Sequence, residues 1–171
     1  MAVPKIINDI SLYLIEENII LSKQFEDGRM NAAINEHEVM KIIQQKFMIE
    51  LPKSRAWFDF AIEENGNFYP VNIKVTDTTH ADNLNCKLGI YYALTGLMPD
   101  FHNGIASLSY FEKLKENIGT EHSKDYYFLV FNKKNPTDIF ANTLKGLQFL
   151  QANGNNLPFQ YTYKTITTKI L

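Results

Sequence analysis

Apolar residues recur at helical spacing along the first part of the chain, and this pattern predicts two helices. The first helix is predicted over Lys5 to Gln24 and the second from about Met30 to Met48. Gly28 breaks the pattern between them, and Pro52 follows the second. The apolar stripe of the first helix consists of Ile7, Ile10, Leu14 and Leu21.

Two alternating, aromatic-rich runs predict a β-hairpin in the middle of the chain. They cover Arg55 to Glu63 and Phe68 to Thr76, and Asn65-Gly66 lies between them. An Asn-Gly pair flanked by such runs is the strongest local signal for a two-residue type I′ turn. That turn fixes the register. The expected cross-strand pairs are Glu64 with Asn67, Ile62 with Tyr69, Phe60 with Val71, and Phe58 with Ile73.

The rest of the chain alternates between helical and extended patterns. Asp82 suits the N-cap of a helix over Asn83 to Thr95, which Gly96 ends. The other predicted elements are a helix over Gly104 to Asn117, a central strand over Tyr126 to Phe131, a helix over Thr137 to Gln151 and a strand over Pro158 to Ile170. The element order predicts an α/β fold, a mixed β-sheet flanked by helices, in one domain over residues 1–171.

Composition narrows the class of protein. The chain has 171 residues, of which 45% are hydrophobic, and a net charge of -2, so a polybasic tail is excluded while a compact nucleic-acid site is allowed. The single Cys86 excludes an internal disulfide framework. No apolar run approaches the roughly 20 residues of a membrane span. The sequence contains neither the dinucleotide-binding motif G-x-G-x-x-G nor the phosphate-binding motif G-x4-G-K. We therefore expect a soluble cytoplasmic protein without a membrane or nucleotide-cofactor role.

One face of the predicted hairpin carries three polar groups close together. Asp59 is expected opposite Asn72, with Lys74 on the diagonal, at the roughly 4.5 to 8 Å typical of cross-strand neighbours. Such a face is consistent with an ordinary solvated surface that holds an Asp-Lys pair. It is also consistent with a reactive site.

A second carboxylate is expected near this group from the second helix. Glu36 falls in the middle of the predicted apolar stripe, where a lone carboxylate is costly to bury, and Glu38 is the alternative if the helix phase differs. Two carboxylates, an amide oxygen and a lysine form a hard-oxygen site that suits Mg²⁺. Such a site favours metal-assisted phosphodiester hydrolysis. The stripe consists of Ala32, Ala33, Met40, Ile43 and Phe47.

Asp59, followed along the hairpin by Asn72-Ile73-Lys74, resembles the active-site signature of the PD-(D/E)xK nucleases, above all the type II restriction endonucleases. The segment VNIKVTDTTHADNLNCKLGIYYAL is similar to their catalytic strand, active-site loop and following helix. The resemblance implies a restriction-endonuclease-like core over about residues 31–131. It also implies that Asp59, Asn72, Lys74 and Glu36 are catalytic, and that Mg²⁺ is held by Asp59, Glu36, Asn72 and the backbone carbonyl of Ile73.

The chain departs from the family pattern at two positions. Phe58 stands where the signature has proline, and Asn72 replaces the second acid. The second change removes a negative charge from the metal site. Because some restriction enzymes resemble this chain in having Asn or Gln there, the resemblance still implies an enzyme.

The DNA-binding residues are expected beside this motif, from side chains that can contact phosphates or bases. An ordinary solvated surface or loop has the same composition. The candidates are Lys53, Arg55, Thr78, His80, Asn83, Asn85 and Lys87.

The resulting hypothesis is a Mg²⁺-dependent, site-specific endonuclease in a prokaryotic cytoplasm. It would hydrolyse double-stranded DNA as a homodimer, since a palindrome is cut on both strands by two active sites related by a two-fold axis. Three alternatives stay open. One is a structure-specific repair or recombination nuclease, and another is a non-catalytic DNA- or protein-binding domain with a decayed site. The third is an unrelated α/β binding module, which a second helix far from the hairpin would favour.

Overall fold

A computed structural model describes residues 2–22, 28–52, 56–76, 82–83, 86–100, 107–119, 121–147, 151–152 and 161–163. Four helices and seven strands lie in these ranges. The helices are α1 (Lys5–Glu16), α2 (Gly28–Lys46), α3 (Lys87–Thr95) and α4 (Ser107–Asn117). The strands are β1 (Phe60–Glu64), β2 (Asn67–Thr76), β3 (Asp82–Asn83), β4 (Tyr127–Asn132), β5 (Ile139–Thr143), β6 (Gln151–Ala152) and β7 (Tyr161–Tyr163).

The main sheet has four strands in the order β1-β2-β4-β5, with β2 and β4 parallel and the other pairs antiparallel. Every residue of β4 is buried, as expected for a central strand covered on both faces. A smaller antiparallel sheet has the order β3-β7-β6. The predicted α/β class with a mixed, helix-flanked sheet is therefore confirmed.

The two faces of the main sheet have separate cores. On one face, Val39 and Ile43 of α2 pack with Val71 and Ile73 of β2, and Ile7, Ile10 and Leu14 of α1 complete that cluster. On the other face, Ala93 of α3 packs with Phe128 and Val130 of β4. Because side chains alternate along a strand, Asn72 and Lys74 lie on the α3 face.

The hairpin turn and its register agree with the sequence. Asn65 and Gly66 both have positive φ, 51° and 75°, as a type I′ turn requires. Glu64 pairs with Asn67, Ile62 with Tyr69, and Phe60 with Val71.

The predicted pairing of Phe58 with Ile73 is wrong. The ladder ends at Phe60, and the chain bends at residues 57–59, so Phe58 packs in the cluster on the α3 face. The first strand therefore begins at Phe60 and not at Arg55.

Several helix boundaries differ from the prediction. α1 ends at Glu16, where Glu17 and Asn18 interrupt the apolar pattern, and Asn18 takes a left-handed conformation with φ 48°. α2 begins at Gly28, which was predicted to separate the helices. α3 begins at Lys87, because Asp82 pairs with Tyr163 in the small sheet and does not act as its N-cap. Gly96 ends α3 as predicted, with φ 71°.

The helix predicted over Thr137 to Gln151 is wrong. Residues Ile139–Thr143 form β5, which pairs with β4 along its whole length. The free edge of a fully buried strand needs hydrogen-bond partners, and this pairing supplies them. The local pattern predicted a helix here, but pairing with β4 determines the conformation of these residues.

The remaining elements agree with the sequence where they are described. α4 covers Ser107–Asn117 of the predicted helix, and β7 covers Tyr161–Tyr163 of the predicted C-terminal strand. The other parts of these two predictions lie outside the described residues. None of the helices in the described ranges is long and apolar enough to cross a bilayer.

Candidate active site

Asp59 occupies the bend just before β1 and closes the end of the hairpin ladder. Its backbone N–H donates to the carbonyl of Val71 at 2.9 Å, and its carboxylate Oδ2 accepts the backbone N–H of Ile73 at 2.6 Å. Because β1 begins only at Phe60, the side chain of Asp59 supplies the hydrogen-bond acceptor for Ile73 that a β1 extended toward its N-terminus would have provided. This is why a polar residue lies at the edge of an apolar hairpin.

Asn72 is in direct contact with Asp59, as the register predicted. Its Nδ2 donates to Oδ2 of Asp59 at 2.8 Å. The Oδ1 atom of Asn72 is buried and has no hydrogen-bond partner among the described residues. A buried oxygen without a donor costs free energy, so the site is polar but incompletely satisfied.

Burial and the nearby positive charge have opposite effects on the pKa of the Asp59 carboxyl. Burial raises the pKa of its carboxyl above the usual value, while the Ile73 N–H and the positive charge of Lys74 lower the same pKa. Lys74 is half-buried on the α3 face, and its charge also acts on the thiol of Cys86. The structure therefore brings together Asp59, Asn72 and Lys74.

A cavity of about 280 Å³ opens beside Asp59 and Asn72. The start of α3 forms its opposite wall through Cys86, Lys87 and Leu88. Burial raises the pKa of Cys86 to about 12, so its thiol stays protonated at neutral pH and is no nucleophile. The polar groups that a ligand meets are Asp59, Asn72 and the half-buried Lys87.

Tyr126 fixes the bend that carries Asp59. Its hydroxyl donates to the carbonyl of Trp57 at 2.8 Å, and the two rings are stacked with centroids 5.9 Å apart. Gly89 of α3 lies against this ring, since a Cβ built on it would be 2.8 Å from the ring atoms. Sequence reasoning did not find Tyr126, because its contact with Trp57 spans 69 residues and has no local signal.

The structure separates the roles of the two helix acids. Glu38 accepts hydrogen bonds from both the backbone N–H and the hydroxyl of Ser22, so it holds the connection between α1 and α2. Glu36 is half-buried and does not line the cavity beside Asp59. Its helix packs on the other face of the sheet. Whether Glu36 completes the site stays a prediction, while Glu38 has a structural role.

The phase of α2 differs slightly from the predicted one. Among the side chains of residues 34–47, which the structure describes, Asn35, Val39 and Ile43 are buried, and Met40 and Phe47 are half-buried beside them. The side chains of Ala32 and Ala33, which belong to the predicted stripe, lie outside the described residues. The polar residue in the middle of the apolar stripe is therefore Asn35, and Glu36 lies on its flank. The shift of one position follows from packing against β2, which the helix pattern alone does not specify.

The residues present suit a Mg²⁺ ion with most of its coordination supplied by water. Oδ1 of Asp59 makes no hydrogen bond with the described residues, and Oδ1 of Asn72 is buried without a donor among them. Mg²⁺ prefers oxygen ligands and takes only one or two carboxylates from a protein. Across the described ranges no three His, Cys, Asp or Glu side chains cluster in a way that could hold a metal. A Mg²⁺ ion at this site would thus have one carboxylate oxygen and one amide oxygen as side-chain ligands.

Most of the predicted DNA-binding residues cannot be placed. Lys53, Arg55, Thr78, His80 and Asn85 lie outside the described residues, and so does the side chain of Asn83. Lys87 is the exception, since it is the first residue of α3 and lines the cavity.

No protein-family model, curated protein or solved structure matches this chain. The function is therefore argued from the chemistry of the site.

Proposed function

We propose that this protein is a Mg²⁺-dependent endonuclease that cuts double-stranded DNA at specific sites and has a restriction-endonuclease-like core. The observation that carries the proposal is the contact of Asp59 with Asn72 and Ile73, beside Lys74 and an open cavity. A half-buried carboxylate, an amide oxygen and an ammonium group on one hairpin suit metal-assisted phosphodiester hydrolysis.

Each side chain has a distinct role in this proposal. Asp59 offers Oδ1 to the metal, while Oδ2 stays fixed by the N–H groups of Asn72 and Ile73. Bound Mg²⁺ supplies charge neutralisation at the phosphate and lowers the pKa of its water. Lys74 orients the attacking water and stabilises the negative charge that develops on the phosphate. Lys87 contacts a DNA phosphate from the start of α3.

The products would be a 5′-phosphate and a 3′-hydroxyl, as the resemblance implies. A homodimer would place one such site on each strand of a palindrome. Contacts in the grooves, from residues outside the described ranges, would set the recognition sequence.

Digestion of plasmid and phage DNA with Mg²⁺ tests the proposal. We expect discrete fragments from the wild-type protein, and none with EDTA or with the Lys74→Ala and Asp59→Ala variants. Lys115→Ala, an exposed lysine of α4, is the matched control and should cut normally. Circular dichroism and thermal unfolding of each variant establish that it is folded.

The other outcomes separate the alternatives. Cleavage without a fixed fragment pattern would favour a nuclease that reads DNA structure. Intact DNA under every condition, with folded wild-type protein, would overturn the proposal and favour a binding domain with a decayed site.

A further inference from the structure

A second cavity, of about 420 Å³, lies next to the tip of the hairpin. Its volume is within the range of roughly 300 to 1,000 Å³ that is typical of small-molecule sites. Phe58 lines both cavities, whereas Asp59, Asn72 and Lys87 do not line this one. A ligand bound here would therefore be separate from the Asp59 group.

Aromatic rings form one wall of this cavity. Phe58 and Phe68 meet edge to face with centroids 5.5 Å apart, and Phe68 meets Tyr92 in the same way at 6.1 Å. The hydroxyl of Tyr92 donates to the carbonyl of Phe68, which holds α3 against the hairpin. A wall of ring faces and edges favours an apolar or cationic ligand.

Two carboxylates lie on the same side of the sheet as these rings. Glu50 pairs with Ala61 in an isolated bridge, and Glu63 is two residues along β1 from Ala61, so both side chains share one face. Both line the cavity. Within the described ranges the ion pair formed is Lys5 with Asp9, so neither Glu50 nor Glu63 has a cationic partner there.

Lys124 also lines the cavity, but its ammonium is already engaged. It donates to the carbonyl of Gly96 at 2.8 Å and lies 5.7 Å from the centroid of the Tyr92 ring. Two carboxylates therefore face one cation that has other partners. The local charge favours a positively charged ligand and disfavours a phosphate.

Tyr127 lines the cavity without adding charge to it. It is only 2% exposed, and it packs in the core cluster of Val71 and Ile73 on the other face of the sheet, where it meets Tyr69 edge to face with centroids 5.8 Å apart. Burial, with smaller contributions from Asp125, Tyr69 and Tyr92, raises the pKa of Tyr127, so its hydroxyl is neutral at physiological pH. The charges of the cavity are therefore those of Glu50, Glu63 and Lys124.

We propose that this cavity binds a small organic cation, an ammonium or guanidinium group carried on an apolar stem. The charged group would lie between Glu50 and Glu63, and the stem would pack on Phe58 and Phe68. This proposal does not depend on the nuclease proposal, since the two sites have different polar groups.

Matched amine and alcohol probes test the proposal. Benzylamine, benzylguanidine and benzyl alcohol share one ring and differ in charge, and the protein has one tryptophan, Trp57, whose ring contacts Phe58, Phe68 and Tyr92. We expect a change in tryptophan fluorescence, and shifts of the Gly66 and Asn67 amide signals by NMR, with the charged probes and not with the alcohol. Added salt should weaken the binding.

Single variants show which groups bind the cation. Glu50→Gln and Glu63→Gln should each weaken benzylamine binding by about twofold to fivefold, the range for an exposed ion pair. Glu64→Gln is the matched control, because Glu64 is an adjacent exposed carboxylate that does not line the cavity.

Three results would overturn the proposal. One is the failure of both charged probes to bind at millimolar concentration, and another is equal binding of benzyl alcohol. The third is unchanged affinity in Glu50→Gln and Glu63→Gln protein that is folded. Absence of nuclease activity would leave this proposal unaffected.

Discussion

Asn72 donates its side-chain amide to Oδ2 of Asp59 over 2.8 Å. An aspartate in place of Asn72 would put two carboxylates in contact, and these would repel each other. This contact allows the half-buried Asp59 to remain stable without a metal ion.

Replacing Asn72 with Asp should make the fold depend on Mg²⁺. Two carboxylates in contact lose a hydrogen bond and repel each other, so we expect the free energy of unfolding in EDTA to fall by about 1 to 3 kcal/mol. Mg²⁺ should restore more stability to this variant than to the wild type. Thermal unfolding with and without Mg²⁺ measures both effects.

Asn67→Asp, at an exposed position of the same strand, is the control for the added charge. Equal stability of Asn72→Asp and wild type in EDTA would contradict this account of the pair.

Asp59 should make the folded state less stable as the pH rises. Burial raises the pKa of its carboxyl above the reference value of 3.8, with the Ile73 hydrogen bond and Lys74 opposing. Between the unfolded and the raised value, the folded protein keeps a proton that the unfolded chain has released. The free energy of unfolding therefore decreases as pH rises through this window.

Asp59→Asn removes the titrating carboxyl and with it this decrease in the free energy of unfolding. We therefore expect the difference in stability between the variant and the wild type, measured by urea unfolding, to shift in favour of the variant as the pH is raised from acidic to neutral. NMR titration of the Asp59 carboxyl carbon measures the pKa directly. A midpoint at or below the reference value would refute the expectation, and Glu112→Gln on the exposed face of α4 is the charge control.

Gly89→Ala should destabilise the protein, although alanine favours helices. In an open helix the change stabilises by about 1 kcal/mol, but a Cβ here would lie 2.8 Å from the Tyr126 ring. We expect a net loss of about 1 to 3 kcal/mol from overpacking. A double-mutant cycle with Tyr126→Ala tests the cause, because the penalty should shrink once the ring is gone. Additive effects would show that the ring contact is not responsible.

Substitutions of Glu36 and Glu38, the two acids of α2, should affect different properties of the protein. Glu38→Gln weakens charge-assisted hydrogen bonds from Ser22, so we expect a loss of about 1 kcal/mol in stability and unchanged Mg²⁺ affinity. Glu36→Gln should weaken Mg²⁺ binding if it completes the metal site. Calorimetric titration with Mg²⁺, paired with chemical unfolding, distinguishes the two. Mg²⁺ affinity that is equal in Glu36→Gln and wild type would exclude Glu36 from the site.

The sequence by itself determined the features that depend on neighbouring residues. Asn65-Gly66 specified the turn, because two successive positive φ angles suit few other pairs. The turn then fixed the register, which brought Asn72 beside Asp59. The continuous apolar run from Tyr126 to Phe131 likewise indicated a strand buried on both faces, and β4 (Tyr127–Asn132) is such a strand.

Only the tertiary structure decided the features that depend on distant partners. β5 forms because β4 has an edge to satisfy, and α2 turns so that Asn35 and not Glu36 faces the core. The bend at Asp59 depends on Tyr126, a residue far along the chain. A local pattern shows whether apolar residues recur with the period of a helix or of a strand. Which other element a helix or strand packs against depends on how the whole chain packs and satisfies its buried polar groups.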